Sequence, residues 1–274
     1  MSRRILAAIL FTVAAGIGCR AMINYESPVG PRYAAVRPPK STVEPYASVN
    51  VSTLRVVTYN VQYGHQVNRA IYALRHYGPL RGADIILLQE MDAPATRQIA
   101  EALEMAYVYY PAGVNGHTHR DFGNAILSRW PITTDEKLLL PHLGRIRHEQ
   151  RIATVANVQV GVQTVRVYCL HLGTPSEIGW AKRRDQAHVV LADAAQYPLA
   201  IVGGDMNSHG IGKEFLNAGY LWPTEHDSWT TAIFNWDHIF LKGFGSPLNG
   251  AGVARDTLEV SDHFPVWAVA TLVP

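Results

Sequence analysis

Two short polar stretches, each set against an apolar run, carry the chemistry available to this sequence. Pro198-Leu199-Ala200-Ile201-Val202 runs into Gly203-Gly204-Asp205-Met206-Asn207, which reads as a buried strand ending in a tight turn. The glycines allow a sharp bend and a close approach by a ligand. Beyond them Asp205 offers acceptor oxygens, and Asn207 offers both a carbonyl and an amino group. That pairing suits a hard metal ion beside a phosphate. Alone, it is equally an ordinary Asp/Asn turn. Ser261-Asp262-His263-Phe264-Pro265-Val266 breaks the tie by setting an acid and an imidazole ahead of a last apolar strand. Asn60 and Glu90 close two further strands, and a solvated surface does not need polar groups in that pattern.

Phosphodiester hydrolysis requires a cation to neutralise phosphate charge, an activated water and stabilisation of the leaving oxygen. Mg²⁺ prefers oxygen ligands, with Mn²⁺ or Ca²⁺ as alternatives here. Glu90, carried on Asp84-Ile85-Ile86-Leu87-Leu88-Gln89, is the first metal ligand expected, with Asp262 as the second acid. Asn60 is expected to orient Glu90 or the metal. His171 closes Val165-Arg166-Val167-Tyr168-Cys169-Leu170, where a protonated imidazole would donate to the phosphate or the leaving oxygen.

The elements that must position these groups follow in order. Strands are expected at 54–60, 84–90, 107–110 and 123–128. A hairpin spans 152–160 and 165–171, and the last strands run over 236–241 and 264–272. Helices are expected at 70–77, stopped by Gly78-Pro79, and at 95–105 and 176–195. Strands with helices between them fit two stacked sheets with helices outside. Trp222, Trp229 and Trp236 are read as core.

Thr58-Tyr59-Asn60-Val61, Leu88-Gln89-Glu90, Gly123-Asn124-Ala125-Ile126-Leu127-Ser128-Arg129, His171-Leu172, Gly204-Asp205-Met206-Asn207, Trp236-Asp237-His238-Ile239 and Ser261-Asp262-His263 follow one another in this chain. In that order they resemble the endonuclease/exonuclease/phosphatase family, which includes DNase I, abasic-site endonucleases, sphingomyelinases and inositol-phosphate 5-phosphatases. The resemblance implies an α/β, DNase I-like, four-layered sandwich of two mixed sheets flanked by helices. It makes Asp237 the hydrogen-bond partner of His263 and leaves the base role between His263 and Asp205. Glu149 falls where DNase I carries a glutamate that supports the histidine equivalent to His171. Asn124 and Asn207 become candidate phosphate or base-orienting amides. Arg151, in the Arg145, Arg147, His148, Arg151 cluster near the cleft, becomes a substrate-binding cation. Where the 5-phosphatases carry Cys-Asp-Arg this chain reads Trp236-Asp237-His238, which disfavours that class.

Residues 1–21 have the form of an export signal. Arg3 and Arg4 precede an uncharged run from Ile5 to Gly18, too short at about 1.5 Å per residue for a bilayer core of roughly 30 Å. Gly16-Ile17-Gly18-Cys19 resembles a bacterial lipobox, so Cys19 is expected to carry lipid in a periplasmic or cell-envelope protein; ordinary cleavage nearby is the alternative. That would leave Cys169 alone and exclude an intrachain disulfide. Residues 22–52, with Pro28, Pro31, Pro38, Pro39 and Pro45, read as an extended linker, and 53–274 as one catalytic domain.

The chain carries 24 Lys and Arg against 22 Asp and Glu, and removing Arg3 and Arg4 leaves the two signs balanced. A neutral domain lacks the global field of a tight, non-specific nucleic-acid binder. His117-Thr118-His119 alternates like a soft-metal site, but no third ligand is evident and a zinc site is discounted. The expectation is therefore an exported, monomeric, Mg²⁺-dependent phosphodiesterase, foremost a nuclease. A phospholipid or sphingomyelin phosphodiesterase is the second reading, and a catalytically dead surface binding module the third.

Overall fold

The computed structural model describes residues 23–38, 51–116, 118–247, 250–255 and 260–272. The expected export signal with Cys19, the rest of the linker (39–50) and His117 lie outside the described residues. In chain order the elements are β1 (Ile23–Asn24), β2 (Tyr33–Ala35), β3 (Thr53–Asn60), α1 (Val67–His76), β4 (Ile85–Met91), α2 (Ala93–Leu103), β5 (Ala106–Val114) and β6 (Asp121–Ser128). They continue with β7 (Ile132–Leu139), β8 (Ile152–Val160), β9 (Gln163–His171), α3 (Trp180–Ala194), β10 (Ala200–Asp205), α4 (Gly212–Asn217), β11 (Asp237–Lys242), β12 (Phe244–Gly245), β13 (Ala251–Val253) and β14 (Val266–Leu272).

The strands form two mixed sheets. One runs β1-β5-β6-β4-β3-β14-β12, with β2 also on β5 and β13 on β14; the other runs β11-β10-β9-β8-β7. Among the described residues only β3 with β4 and β9 with β10 pair in parallel, each through a connection containing α1 or α3. Such pairs need a crossover, and the helices cover the outer faces. Leu54, Val56, Ile85, Leu87 and Ile126 of the first sheet meet Ala156, Val167, Cys169, Ile201 and Ile239 of the second in a shared core. Two further clusters seat α1 and α2 on the first sheet, and α3 and α4 on the second. This is a four-layered α/β sandwich, because each sheet is apolar on both faces and must be covered twice.

Local chemistry sets the boundaries. Pro94 stands in the first turn of α2, whose N-cap Asp92 accepts from Ala95 N at 2.8 Å. α3 starts at Trp180, later than expected, because residues 174–178 are spent on a turn with Glu177 N and Ile178 N both on the Thr174 carbonyl. β7 escaped the sequence reading because Thr133, Thr134, Asp135, Glu136 and Lys137 break its apolar run at the sheet edge.

Residues 23–35, expected within a linker, are instead added to the first sheet. β1 pairs Ile23 with Val114 and Asn24 with Gly113, while β2 pairs with Tyr107, Val108 and Tyr109. Buried Lys137 donates from Nζ to the carbonyls of Tyr25 (3.2 Å) and Gly30 (2.8 Å). Main-chain bonds hold the arm without an apolar signature. Among the described residues no helix is long and apolar enough to cross a membrane.

Candidate active site

β9, β10 and β11 lie side by side, and their register sets three polar residues in one row. Asp205 is the cross-strand partner of His171 on β9 and of Asp237 on β11. The glycine pair makes this approach possible. A Cβ at Gly204, whose φ is 147°, would collide with the Leu170 carbonyl, and one at Gly203 would lie 2.6 Å from Leu87 of the facing sheet. Asn207, itself at φ 49°, donates its backbone N–H to Asp205 Oδ1 (2.8 Å) and its Nδ2 to the Leu172 carbonyl (3.0 Å).

The other sheet supplies Asn60 and Glu90. The β4–β6 register shifts between Leu88 and Met91, and Glu90 takes φ 58°, so a bulge turns its carboxylate out of the pleat. Asn60 Nδ2 donates to Glu90 Oε1 at 3.1 Å and to Asp205 Oδ2 at 3.3 Å, joining an acid from each sheet. Its Oδ1 accepts from Gln62 N (3.1 Å), which fixes the amide that orients the two acids.

The C-terminal turn is fastened by two hydroxyls. Ser261 Oγ donates to the Asn60 carbonyl (2.7 Å) and accepts from His263 N (3.1 Å). Buried Thr230 accepts on Oγ1 from Trp236 N (3.0 Å) and Asp237 N (3.2 Å), while its carbonyl accepts from Phe264 N (2.7 Å). His263 therefore meets Asp237, Nδ1 to Oδ2 at 2.8 Å. Asp205 Oδ2 lies between two imidazoles, 3.5 Å from His171 Nε2 and 3.7 Å from His263 Nε2.

Burial raises the Asp205 carboxyl to about 6; the Asp237 charge adds to this and His263 opposes it. Glu90, partly open to solvent, is pushed up to about 7 by desolvation, with Asn60 and His263 pulling the other way. Burial alone would lower His263, but the Asp237 and Asp205 charges hold it well above the ordinary imidazole range. His171 goes the other way: burial, then the charges of Arg151 and His263, drive it well below. Burial above all, with the Arg151 and His263 charges adding to it, thus favours the neutral form of His171, where the sequence points to a protonated donor.

Three more expectations change. Glu149 does not reach His171: its Oε2 pairs with Arg151 Nη2 at 3.2 Å, its Oε1 is unpartnered, and so is His171 Nδ1. Asn124 donates to the Ile152 (3.0 Å) and Cys169 (3.4 Å) carbonyls, so its amide stitches the sheets together and does not face a phosphate. Trp229 is 58% exposed. Asp262 is exposed beside Glu90, where its charge opposes ionisation of that acid. Arg151 is buried in the site, its guanidinium 5.6 Å from the Phe122 ring centroid, and Phe122 lies 5.9 Å from His171. Thr230 and Phe122 were missed; no residue type or spacing marks them, whereas Ser261 was visible in its motif.

The groups fit a hard divalent cation. Asn60 holds two carboxylates toward one space, and Asp237 Oδ1 is buried without a partner. Ligand atoms of Asp205, Asp237 and His263 lie within 4.8 Å of one another. Because His263 Nδ1 is committed to Asp237, Glu90 and Asp205 are the better cation-holding pair.

A model of the Endonuclease/Exonuclease/phosphatase family matches residues 57–263. Among solved structures, an endonuclease/exonuclease/phosphatase from Bacteroides vulgatus superposes with a TM-score of 0.66 at 15% identity, covering 81% of this chain and 100% of that one. D. rerio TDP2 complexed with single strand DNA product gives 0.63 at 18%, with 81% and 100% covered. The Bacteroides thetaiotaomicron mannosyl-6-phosphatase Bt3783 gives 0.57 at 20%, with the same coverage. At such identities these structures establish the fold alone. No curated protein matches the chain in sequence.

Proposed function

Because the chain belongs to the endonuclease/exonuclease/phosphatase family, we propose that it is an exported hydrolase cleaving phosphodiester bonds in a nucleic acid strand with Mg²⁺. Mn²⁺ and Ca²⁺ are the alternative ions. The observation that carries the reading is Asp205 Oδ2 between the imidazoles of His171 and His263, with Asp237 behind His263.

When bound, the divalent ion supplies charge neutralisation and a more acidic water. Glu90 and Asp205 would hold it, with Asn60 fixing both. His263, kept cationic by Asp237, is suited to donate from Nε2 to a phosphate oxygen. A cationic His263 does not take a proton, so Asp205, at about 6, is the base for the attacking water. Neutral His171 orients Asp205, and Arg151 adds fixed positive charge beside them.

The rim supports a nucleic acid as the substrate. Trp229 (58% exposed) and Phe234 (44%), the latter stacked on Trp236 at 4.3 Å, stand in the loop leading into the row. Exposed Arg145 and partly exposed Arg147 stand in the loop before β8. Exposed aromatic faces and cations are the groups that bind single strands, by stacking and by charge. TDP2 and the mannosyl-6-phosphatase show that this fold carries both a DNA product and a sugar phosphatase. Export rests on the basic start and apolar run of residues 1–21, with lipid on Cys19.

The test is a substrate panel with Mg²⁺, with and without EDTA, beside the Asp205→Ala variant. It contains single-stranded and plasmid DNA, RNA, sphingomyelin vesicles and mannose 6-phosphate. Cleavage of DNA or RNA that needs both the metal and Asp205 is expected. Headgroup release or sugar dephosphorylation without strand cleavage would overturn the nuclease assignment, and no hydrolysis at all would overturn the enzyme.

A further inference from the structure

We propose that the N-terminal arm is part of the active site, with Asn24 as a positioning residue for the Glu149 and Arg151 pair. This deepens the phosphodiesterase reading and rests on it. The Asn24 side chain spans Glu149 from both sides: Nδ2 donates to the His148 carbonyl at 2.7 Å, and Oδ1 accepts from Gln150 N at 2.9 Å. One amide thereby fixes the two peptide groups that flank Glu149.

The loop needs such a clamp. His148 sits at φ 51°, a left-handed conformation costly for any residue with a Cβ. Farther back, the Glu177 carboxylate accepts from Ile146 N (2.7 Å) and Arg147 N (3.3 Å), and Gly144 N donates to the Glu149 carbonyl (3.0 Å). The Asn24 contacts reach the two peptide groups flanking Glu149 from 124 and 126 residues away in sequence.

What the clamp holds is not explained by stability. Glu149 and Arg151 are each 5% exposed, and each keeps a buried atom, Oε1 and Nη1, without a partner. A buried ion pair with unfilled hydrogen-bonding capacity is a poor stabiliser, so another role must retain it. Arg151 acts electrostatically on Glu90, His171 and Asp205. Moving Glu149 would therefore shift a charge that the whole site feels.

The arm is built to stay in place. β1 pairs with β5, Tyr25 N donates to the Ala112 carbonyl (2.8 Å), and Lys137 Nζ grips Tyr25 and Gly30. A Cβ at Gly113 would lie 2.5 Å from the Ile23 carbonyl, so glycine there is what lets the arm approach.

The test is a double-mutant cycle on the full chain, read as kcat/KM for the DNA substrate. Asn24→Ala is expected to lower kcat/KM about tenfold, as a small misplacement of a charged group does. In the Arg151→Ala background the same change should cost less than about twofold, because the two act as one unit. Arg32→Ala, which cuts the ion pair between the arm and Asp135, away from Glu149 and Arg151, should leave activity near wild type. Asn24→Asp keeps the acceptor for Gln150 but sets a carboxylate against the His148 carbonyl, and should also lose activity. Equal losses in both backgrounds, or wild-type activity in Asn24→Ala and Asn24→Asp, would overturn the proposal. Wild-type protein without hydrolysis would instead overturn the functional reading first, and this one with it.

Discussion

Nδ1 of His263 lies 2.8 Å from Oδ2 of Asp237, and both residues are buried. The acid fixes which imidazole nitrogen faces Asp205 and keeps the ring charged. In Asp237→Asn the hydrogen bond has a replacement but the charge does not, so the His263 pKa falls toward the ordinary range. If a cationic His263 is required, the wild type keeps activity as pH rises past that range, and the variant loses it there. A fall in kcat/KM of about 100-fold at pH 8, shrinking toward pH 6, is expected. Profiles of the same shape for both proteins would contradict the role given to His263.

Asp205 is the clearest case of a residue kept for function against stability. Its carboxyl sits at about 6 where 3.8 is ordinary, because burial opposes ionisation. The folded state therefore holds a proton that the unfolded chain has lost between those values. Stability from this group is full below 3.8 and lost as pH rises through about 6. Asp205→Asn removes the titration. In EDTA it should be more stable than wild type at pH 8, by up to about 2 kcal/mol once an impaired acceptor is allowed for. The advantage should vanish by pH 4, while activity is lost throughout. Urea denaturation at the two pH values decides it; a variant less stable at pH 8 would show that the ionised acid supports the fold.

Glu90 is turned into the site by a bulge at φ 58° and held by Asn60 at 3.1 Å. Glu90→Gln preserves the size and removes the anion. The Mg²⁺ concentration for half-maximal activity should rise about tenfold or more, whereas substrate KM at saturating metal moves less. EDTA should abolish wild-type activity, and excess Mg²⁺ should restore it. An unchanged metal requirement in the variant would place the cation elsewhere.

The sequence announced the strand-end acids more clearly than their surroundings. Asp205, Glu90 and His263 were legible because each follows or precedes an apolar run, and because glycine at 203 and 204 marks a close approach. What escaped depends on contacts between distant segments. Asn24 meets His148 and Gln150 across more than a hundred residues, in a proline-bearing stretch with no periodicity to flag a strand. Glu149 was assigned to His171 by motif position, yet a neighbouring guanidinium two residues on captured it. Asn124 looked like a phosphate amide, but the gap between the sheets needed a donor for two carbonyls. Residue type survives such competition only when nothing nearer offers a partner.

Thr230 carries no motif, yet one hydroxyl and one carbonyl of it tie the two halves of the acid–imidazole pair together. Oγ1 accepts from Trp236 N and Asp237 N, and the carbonyl accepts from Phe264 N, next to His263. Thr230→Val keeps the shape and removes the acceptor, stranding two N–H groups, one of them on buried Asp237. The cost should be about 2–4 kcal/mol in urea denaturation, as for two unsatisfied donors. Because β11 begins at Asp237, the loss should also appear in kcat. Thr230→Ser retains the acceptor and should recover most of both. A valine variant that loses stability but keeps full kcat would mean that the His263 and Asp237 contact forms without this staple.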